Sequence, residues 1–137
     1  MARRSHVAGT LLLLTLLLLT TTQKMVAIAV ILQPNSNFDG KSFEGEYHQG
    51  ENGSRSSFID ANFTGTRLSL ANLSLANHTR ADLSTANLTT AHLASANLTS
   101  AHLTRANLTR ANLTRANLTS ANLDAAVLAG AEVRGAD

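Results

Sequence analysis

Three sets of side chains in this sequence have types and spacings that could do chemistry. Five histidines could bind a metal ion or transfer protons, although the chain has no cysteine to join them. Three arginines recur every five residues, at Arg105, Arg110 and Arg115, and a basic cluster could bind nucleic-acid phosphates. Nine Asn-x-Ser/Thr sequons could accept N-linked glycans if the protein is eukaryotic and exported: Asn52, Asn62, Asn72, Asn77, Asn87, Asn97, Asn107, Asn112 and Asn117. The element that positions these residues decides which of these chemistries is possible.

A repeated five-residue unit, which we call a word, determines that element: residues 106–120 read ANLTRANLTRANLTS. On an α-helix, five residues advance each leucine by roughly 140°, which leaves no apolar stripe. On a flat strand the side chains alternate, so an odd period turns successive leucines to opposite faces. A short extended segment followed by a corner solves both problems, with Ala and Leu inward, Asn outward and the last two residues turning. The word therefore predicts a coil wound around a narrow apolar axis.

The five-residue phase runs through most of the chain, in twenty words from Ser36 to Gly135. One inward position is alanine in every word from Ala71 to Ala131. The central inward position predicts a core stack of large apolar side chains: Phe38, Phe43, Phe58, Phe63, Leu68, Leu73, Leu83, Leu88, Leu93, Leu98, Leu103, Leu108, Leu113, Leu118 and Leu123.

This pattern resembles the pentapeptide-repeat family, whose word is A-(N/D)-L-x-x, and the resemblance is strongest from Ala61 to Leu123. The resemblance implies an all-β fold, a right-handed quadrilateral parallel β-helix in which four pentapeptides make one coil of a solenoid. Twenty words then give about five coils, in a domain that spans residues 36–137. Residues i and i+20 are expected to lie above one another, in a rod roughly 24 Å long.

Residues 1–35 are predicted to be an export signal or a membrane anchor. Two arginines precede an apolar run from Val7 to Leu19, which is the order of charge and apolar residues in a secretory signal. The stretch 27–29 reads Ala-Ile-Ala, like a signal-peptidase site, although it lies far from the end of that run. The alternative is an uncleaved apolar helix that crosses a membrane through residues 7–32.

Both interpretations place the repeat on the non-cytoplasmic side of a membrane, in a periplasm, a lumen or the extracellular space. A third interpretation starts translation at Met25, which would remove the export segment and leave the repeat in the cytosol.

Within such a coil the histidines do not form a metal site. His92 and His102 are two words apart, so we expect them on opposite faces of the rod. His48 and His78 replace the central leucine, and each buried imidazole then needs hydrogen-bond partners. We expect no metal ion and no cofactor.

The arginines and asparagines are likewise better explained by the coil. The three arginines fall on successive sides, forming a girdle, and the only tyrosine is Tyr47, so nucleic-acid binding is not expected. The outward column of Asn77, Asn97 and Asn117 is expected to hydrogen-bond along the rod as a ladder. The sequons are therefore first a product of the repeated word.

The sequence favours a non-catalytic protein. It has no phosphate-binding glycine loop, no HExxH motif and no cysteine nucleophile, and a convex rod offers no cleft that could desolvate a substrate. We predict an exported or membrane-anchored structural or protein-binding scaffold. Its unknown protein partner is expected on the irregular first coils, at the surface residues Glu44, Glu46, Tyr47, Gln49 and Glu51. A homodimer through the C-terminal coil is also expected, because open strand edges invite association.

Two other functions remain as alternatives. Some pentapeptide-repeat proteins mimic DNA with an acidic rod and bind a topoisomerase, but residues 36–137 carry nine acidic and eight basic side chains, which disfavours that role here. Thr79, Thr99 and Thr119 form a column beside the asparagines, and such a regular face could bind ice or ordered water.

Overall fold

The β-structure consists of single-residue parallel bridges, each of which joins the second residue of a word to the residue twenty positions later. The computed structural model describes residues 32–137, so the predicted apolar helix within residues 7–32 lies outside the described residues except at its last position. The bridges run from Asn37↔Ser57 to Asn112↔Glu132, always between the second residues of two words. Four words per turn are therefore confirmed, and the rod is a four-sided parallel β-helix.

We number the coils by their residues: coil 1 is 36–55, coil 2 is 56–75, coil 3 is 76–95, coil 4 is 96–115 and coil 5 is 116–135. The four successive words of each coil form faces 1, 2, 3 and 4 of the rod. The fifth residue of each word lies at the corner between its own face and the next.

Each corner is a β-turn closed by a backbone hydrogen bond. The Ala86 N–H donates to the Leu83 carbonyl at 3.1 Å, and the residue between them at the corner, Thr85, has φ of 57°. A positive φ at the third residue only is the pattern of a type II turn. The predicted corner at the last two residues of the word is therefore confirmed.

Neighbouring coils are joined by their backbones on every side. Asn107, for example, donates its N–H to the Ala86 carbonyl at 2.9 Å and accepts from the Leu88 N–H at 2.8 Å. These bonds pair the polar backbone groups that stacking removes from water.

The interior is a narrow apolar column made by the two inward residues of each word. Of the predicted core stack, the structure buries Phe43, Phe58, Phe63, Leu68, Leu73, Leu83, Leu88, Leu93, Leu98, Leu103, Leu108 and Leu113 completely, and Phe38, Leu118 and Leu123 in part. Each fully buried leucine contributes roughly 1.5–3 kcal/mol relative to an exposed one.

Aromatic rings replace leucine in the first two coils. Phe38 stacks on Phe58 with ring centroids 5.1 Å apart, and Phe43 stacks on Phe63 at 4.6 Å. Gly53 stands where other words have a large residue, and a Cβ there would lie 3.0 Å from Cζ of Phe58. The ring of Phe58 thus fills the space that a side chain at position 53 would need.

The coil geometry continues upstream of the predicted start at Ser36. Pro34 and Asn35 form a turn, Asn35 has φ of 56°, and its N–H donates to the Ser54 carbonyl at 3.0 Å. Leu32 is 2% exposed and packs with the core. Within residues 32–137 there is no helix long and apolar enough to cross a membrane.

Candidate interaction surface

The outward asparagines stabilise the corners. In each of the nine sequons the Asn Oδ1 accepts the backbone N–H two residues later, as from Thr79 to Asn77 at 3.1 Å. The Thr79 hydroxyl also donates to the same oxygen, at 2.6 Å. These are Asx turns inside one word, so the interpretation of Asn77, Asn97 and Asn117 as a ladder along the rod is wrong. Among the sequon asparagines, Asn52 and Asn117 are exposed and the others are half-buried.

His48 is a buried imidazole with a carboxylate on each nitrogen. Nδ1 lies 2.8 Å from Oε2 of Glu51, and Nε2 lies 2.8 Å from Oε2 of Glu46. Glu51 Oε2 also accepts the backbone N–H of Leu32 at 2.7 Å. A neutral imidazole donates through one nitrogen only, so both contacts become hydrogen bonds when the imidazole carries two protons or a carboxyl group carries one. The two glutamates therefore satisfy the buried ring, and they are not free surface groups.

His78 is equally buried, and neither ring nitrogen has a hydrogen-bond partner within residues 32–137. Its ring stacks on Phe58 with centroids 4.8 Å apart and planes 9° apart. Burial lowers the pKa of His78 from its ordinary value to about 3, because the charged form would lose its hydration. His78 thus behaves as a neutral aromatic residue of the core.

The two exposed histidines are far apart on the rod. His92 lies in the column of Asn72 and Asn112 on face 4, whereas His102 lies in the column of Asp82 on face 2. Faces 2 and 4 are opposite sides, so the structure does not bring these imidazoles together. In residues 32–137 no group of three or more metal-ligating side chains converges.

Five of the seven arginines in residues 32–137 lie at corners. Arg105, Arg110 and Arg115 are exposed at three successive corners of coil 4, the predicted girdle. Arg80 in coil 3 donates two hydrogen bonds of 2.7 Å to the carboxylate of Asp60 in coil 2. The hydrogen bond from Arg80 lowers the pKa of the Asp60 carboxyl group.

One exposed aromatic residue stands out on face 3 of coil 1. Tyr47 is 68% exposed, and the guanidinium carbon of Arg67 lies 4.3 Å from the centre of its ring. The two residues are bridge partners in successive coils. This cation–π pair places an apolar ring beside a charged group on the surface.

Comparison with known proteins identifies the repeat. The family model described as pentapeptide repeats matches in eight copies, at residues 47–74, 67–105 and 106–137, which together cover more than half of the chain. The chain belongs to the pentapeptide-repeat family. No curated protein matches it.

Three solved pentapeptide-repeat structures are similar to this chain. HetL, involved in heterocyst differentiation regulation in the cyanobacterium Nostoc sp. strain PCC 7120, shares 29% identity over 77% of this chain, with a TM-score of 0.59. A protein from the Arabidopsis thaliana thylakoid lumen shares 31% identity over 76% of this chain and 66% of its own, with a TM-score of 0.42. Rfr23 from the cyanobacterium Cyanothece 51142 shares 28% identity over 75% of this chain and 83% of its own, with a TM-score of 0.40.

The family match and the likeness to HetL support the right-handed quadrilateral β-helix that the sequence predicts for the repeat. The chain spans 56% of the length of HetL. Proteins of the pentapeptide-repeat family are generally non-catalytic, scaffold-like repeat proteins.

Sequence reasoning missed the role of two residues of this pentapeptide-repeat coil. Glu46 and Glu51 were expected on the surface with Glu44, Tyr47 and Gln49, whereas they are half-buried against His48. Their position in the repeat could have revealed this burial, because both occupy the inward position that later words fill with alanine.

Proposed function

We propose that this protein is a non-catalytic pentapeptide-repeat scaffold that binds a protein partner through face 3 of its first two coils. The observation that carries the proposal is the Tyr47–Arg67 pair on face 3. Tyrosine and arginine are enriched among the residues that dominate binding energy at protein interfaces.

The rest of face 3 explains why this pair is distinctive. The same outward column continues as Asn87, Asn107 and Val127. Asn87 and Asn107 hold their own corners through Asx turns, as the repeat requires. Tyr47 makes no such turn and exposes a large apolar ring that packs against Arg67. Packing between the two side chains before binding lowers the side-chain entropy that is lost on binding.

The experiment is site-specific photo-crosslinking in the native host. A photoreactive amino acid replaces Tyr47 in one variant and Asn107 in the other, because both positions lie in one column of the same face. We expect a crosslinked protein at position 47 that is absent at position 107, and its yield should fall when Arg67→Ser is added. Equal crosslinking at both positions, or at neither, would contradict the proposal.

Export remains part of the proposed function, as a cleaved signal or as a membrane anchor through residues 7–32. It is supported by the order of the two arginines and the apolar run in residues 1–35. Intact mass and N-terminal sequencing of the protein from each fraction of its host will test this. A chain that begins near Val30 outside the cytoplasm indicates a cleaved signal, full-length chain in membranes indicates an anchor, and a cytosolic chain that begins at Met25 contradicts export. Added glycan mass would show that the sequons are used.

Self-association through coil 5 is a further part of the proposal. Val127 and Val133 in this coil are 48% and 49% exposed, and Leu118, Leu123 and Leu128 are only partly buried. Light scattering over a range of concentrations should show a dimer that Val127→Thr and Val133→Thr weaken. A monomer at all concentrations would contradict it.

A further inference from the structure

The corner residues of the coils contain two leucines that the fold does not require. Every described corner has a positive φ, a conformation that favours glycine and asparagine and is unusual for a bulky side chain. Most corners carry Gly, Ser, Thr or Arg, whereas Leu70 and Leu75 have φ of 63° and 60°. They are 54% and 53% exposed, so neither strain nor exposure is offset by burial in the core.

The two leucines border one face of one coil. Leu70 ends the word before face 4 of coil 2, and Leu75 ends the word of face 4 itself. Beside Leu70, on face 4 of coils 2 and 3, lies a shallow open depression lined by Leu70, Asn72, Ser74, His92 and Ala94. Ala94 lowers the polarity of this floor, because the equivalent residues Ser74 and Thr114 carry hydroxyl groups.

The same face becomes basic two coils further on. Arg110 and Arg115 occupy in coil 4 the corners that Leu70 and Leu75 occupy in coil 2, roughly 10 Å along the rod. Neither arginine forms an ion pair with a residue in the range 32–137. The face 4 words of coils 2, 3 and 4 contain no acidic residue.

We infer that face 4 of coils 2–4 is a docking surface for an acidic amphipathic segment of a partner protein, with apolar side chains over Leu70, Leu75 and Ala94 and carboxylates at Arg110 and Arg115. This inference rests on the proposed scaffold function and extends it to a second face, which meets face 3 at the corner of Leu70. Arginine pairs with carboxylates through two parallel hydrogen bonds, which gives such a segment its direction along the rod.

Two other occupants fit this face less well. A second copy of the chain that used the same face would oppose arginines with arginines wherever the two copies are parallel. The acidic side chains of face 4 in residues 32–137, Glu51 and Glu132, lie in coils 1 and 5, outside the surface of coils 2–4. A nucleic acid would gain nothing from two exposed leucines. An acidic segment with an apolar side satisfies both ends of the face.

The probe is a synthetic helical peptide of about 18 residues with leucines on one side and glutamates toward one end, and its counterpart has lysine in place of each glutamate. Binding to the full-length protein is measured by fluorescence anisotropy at several salt concentrations. Methyl NMR of the leucines then locates the peptide. We expect the glutamate peptide to bind with an affinity that salt weakens, and to shift the methyl signals of Leu70 and Leu75.

The variants replace each corner residue with one that the repeat already uses at a positive φ. Leu70→Thr with Leu75→Ser should weaken binding by about tenfold or more, as should Arg110→Ser with Arg115→Ser. Arg105→Ser is the matched control, because Arg105 borders faces 2 and 3 only, and it should leave the affinity unchanged. Ser100→Leu with Arg105→Leu, added to the Leu70→Thr/Leu75→Ser variant, moves the leucine pair to the opposite face and should not restore binding.

Several results would overturn the inference. Equal binding of the lysine peptide, binding restored by the moved leucines, or methyl shifts confined to other coils would each show that face 4 does not recognise an acidic segment. Shifts of Leu70 and Leu75 when the protein alone is concentrated would assign the face to self-association instead. If the partner crosslinked at position 47 still binds the Leu70→Thr/Leu75→Ser variant with full affinity, the scaffold function stands and the inference about face 4 fails.

Discussion

Coil 1 and coil 3 each hold one histidine at the inward centre of a word, and the two surroundings are opposite. In coil 1, both nitrogens of His48 meet carboxylates, from Glu46 and Glu51, at 2.8 Å. In coil 3, His78 has no polar partner in the described part of the chain and stacks flat on Phe58. Coil 1 therefore accommodates a buried imidazole by placing carboxylates beside its nitrogens, whereas coil 3 accommodates one in its neutral form among apolar side chains.

The difference follows from the inward position two residues before the centre. Coil 1 has glutamate at this position on faces 3 and 4, and every word from Ala71 onward has alanine. A methyl group packs but cannot hydrogen-bond, so a histidine in the later coils has only apolar neighbours. The regular coils gain uniform packing, and the first coil gains a surface that departs from the repeat.

The largest effect is expected from a charge in the regular coils. Leu108→Lys places an ammonium group in an apolar column with no carboxylate nearby, and should cost about 4 kcal/mol or more of the free energy of unfolding. Thr109→Lys, one residue later on the outside, is the matched control and should change it little. Thermal and denaturant unfolding measure both. An unchanged midpoint for Leu108→Lys would refute the inward assignment of the central leucine.

A smaller effect is expected when the partners of His48 are removed. Glu46→Ala with Glu51→Ala introduces the residue of the later words but leaves the buried ring unsatisfied, which costs about 1–3 kcal/mol. Adding His48→Leu should recover most of the loss, because Leu68 already continues that column. Denaturant unfolding compares the double and triple variants. If the triple variant is no more stable than the double variant, the glutamates act on something other than His48.

The unpartnered histidine predicts a pH dependence. Because the folded state keeps His78 neutral, with a pKa of about 3, the unfolded chain takes up a proton near the ordinary value of 6.5 and the folded chain does not. The stability is therefore full above pH 6.5 and falls as the pH is lowered toward 3, by about 2 kcal/mol at pH 5.

His78→Leu should remove this part of the acid sensitivity, since Leu98 continues the same column. The test compares the free energy of unfolding of the parent and His78→Leu at pH 7 and pH 5. A constant difference between the two proteins would contradict the neutral, buried state of His78.

The smallest effect is expected at the surface ion pair. Asp60 and Arg80 are both more than half exposed, so their attraction is largely screened by water. Asp60→Asn should leave the unfolding midpoint unchanged in both low and high salt. A clear loss that disappears in high salt would show that this pair stabilises the rod.

The sequence predicted the coil because a five-residue period with two inward residues has few physical solutions. The burial of the central leucines follows from that phase. The stacking of Phe38 on Phe58 follows only when the resemblance to the pentapeptide-repeat family supplies four pentapeptides per coil. Side-chain partners did not follow as directly. The Asn Oδ1 accepts a backbone N–H of its own word, a choice between two local hydrogen bonds that the period does not determine.

The candidate surface was less visible in the sequence than the fold. Tyr47 was expected to be exposed, but its pairing with Arg67 depends on the stacking of successive coils. Leu70 and Leu75 are the fifth residues of two successive words, and only the folding of four words into one coil makes both border face 4. Such patches join residues that are one or two coils apart in sequence, so local spacing does not reveal them.

The most direct test of the proposed scaffold is amide hydrogen exchange of the complex with the partner crosslinked at position 47. We predict slower exchange in residues 46–50 and 66–75, which form face 3 of coils 1 and 2 and face 4 of coil 2. Exchange in residues 96–105, on faces 1 and 2 of coil 4, should be unchanged. Protection confined to coil 5, or spread equally over every coil, would contradict a binding surface around Tyr47 and Arg67.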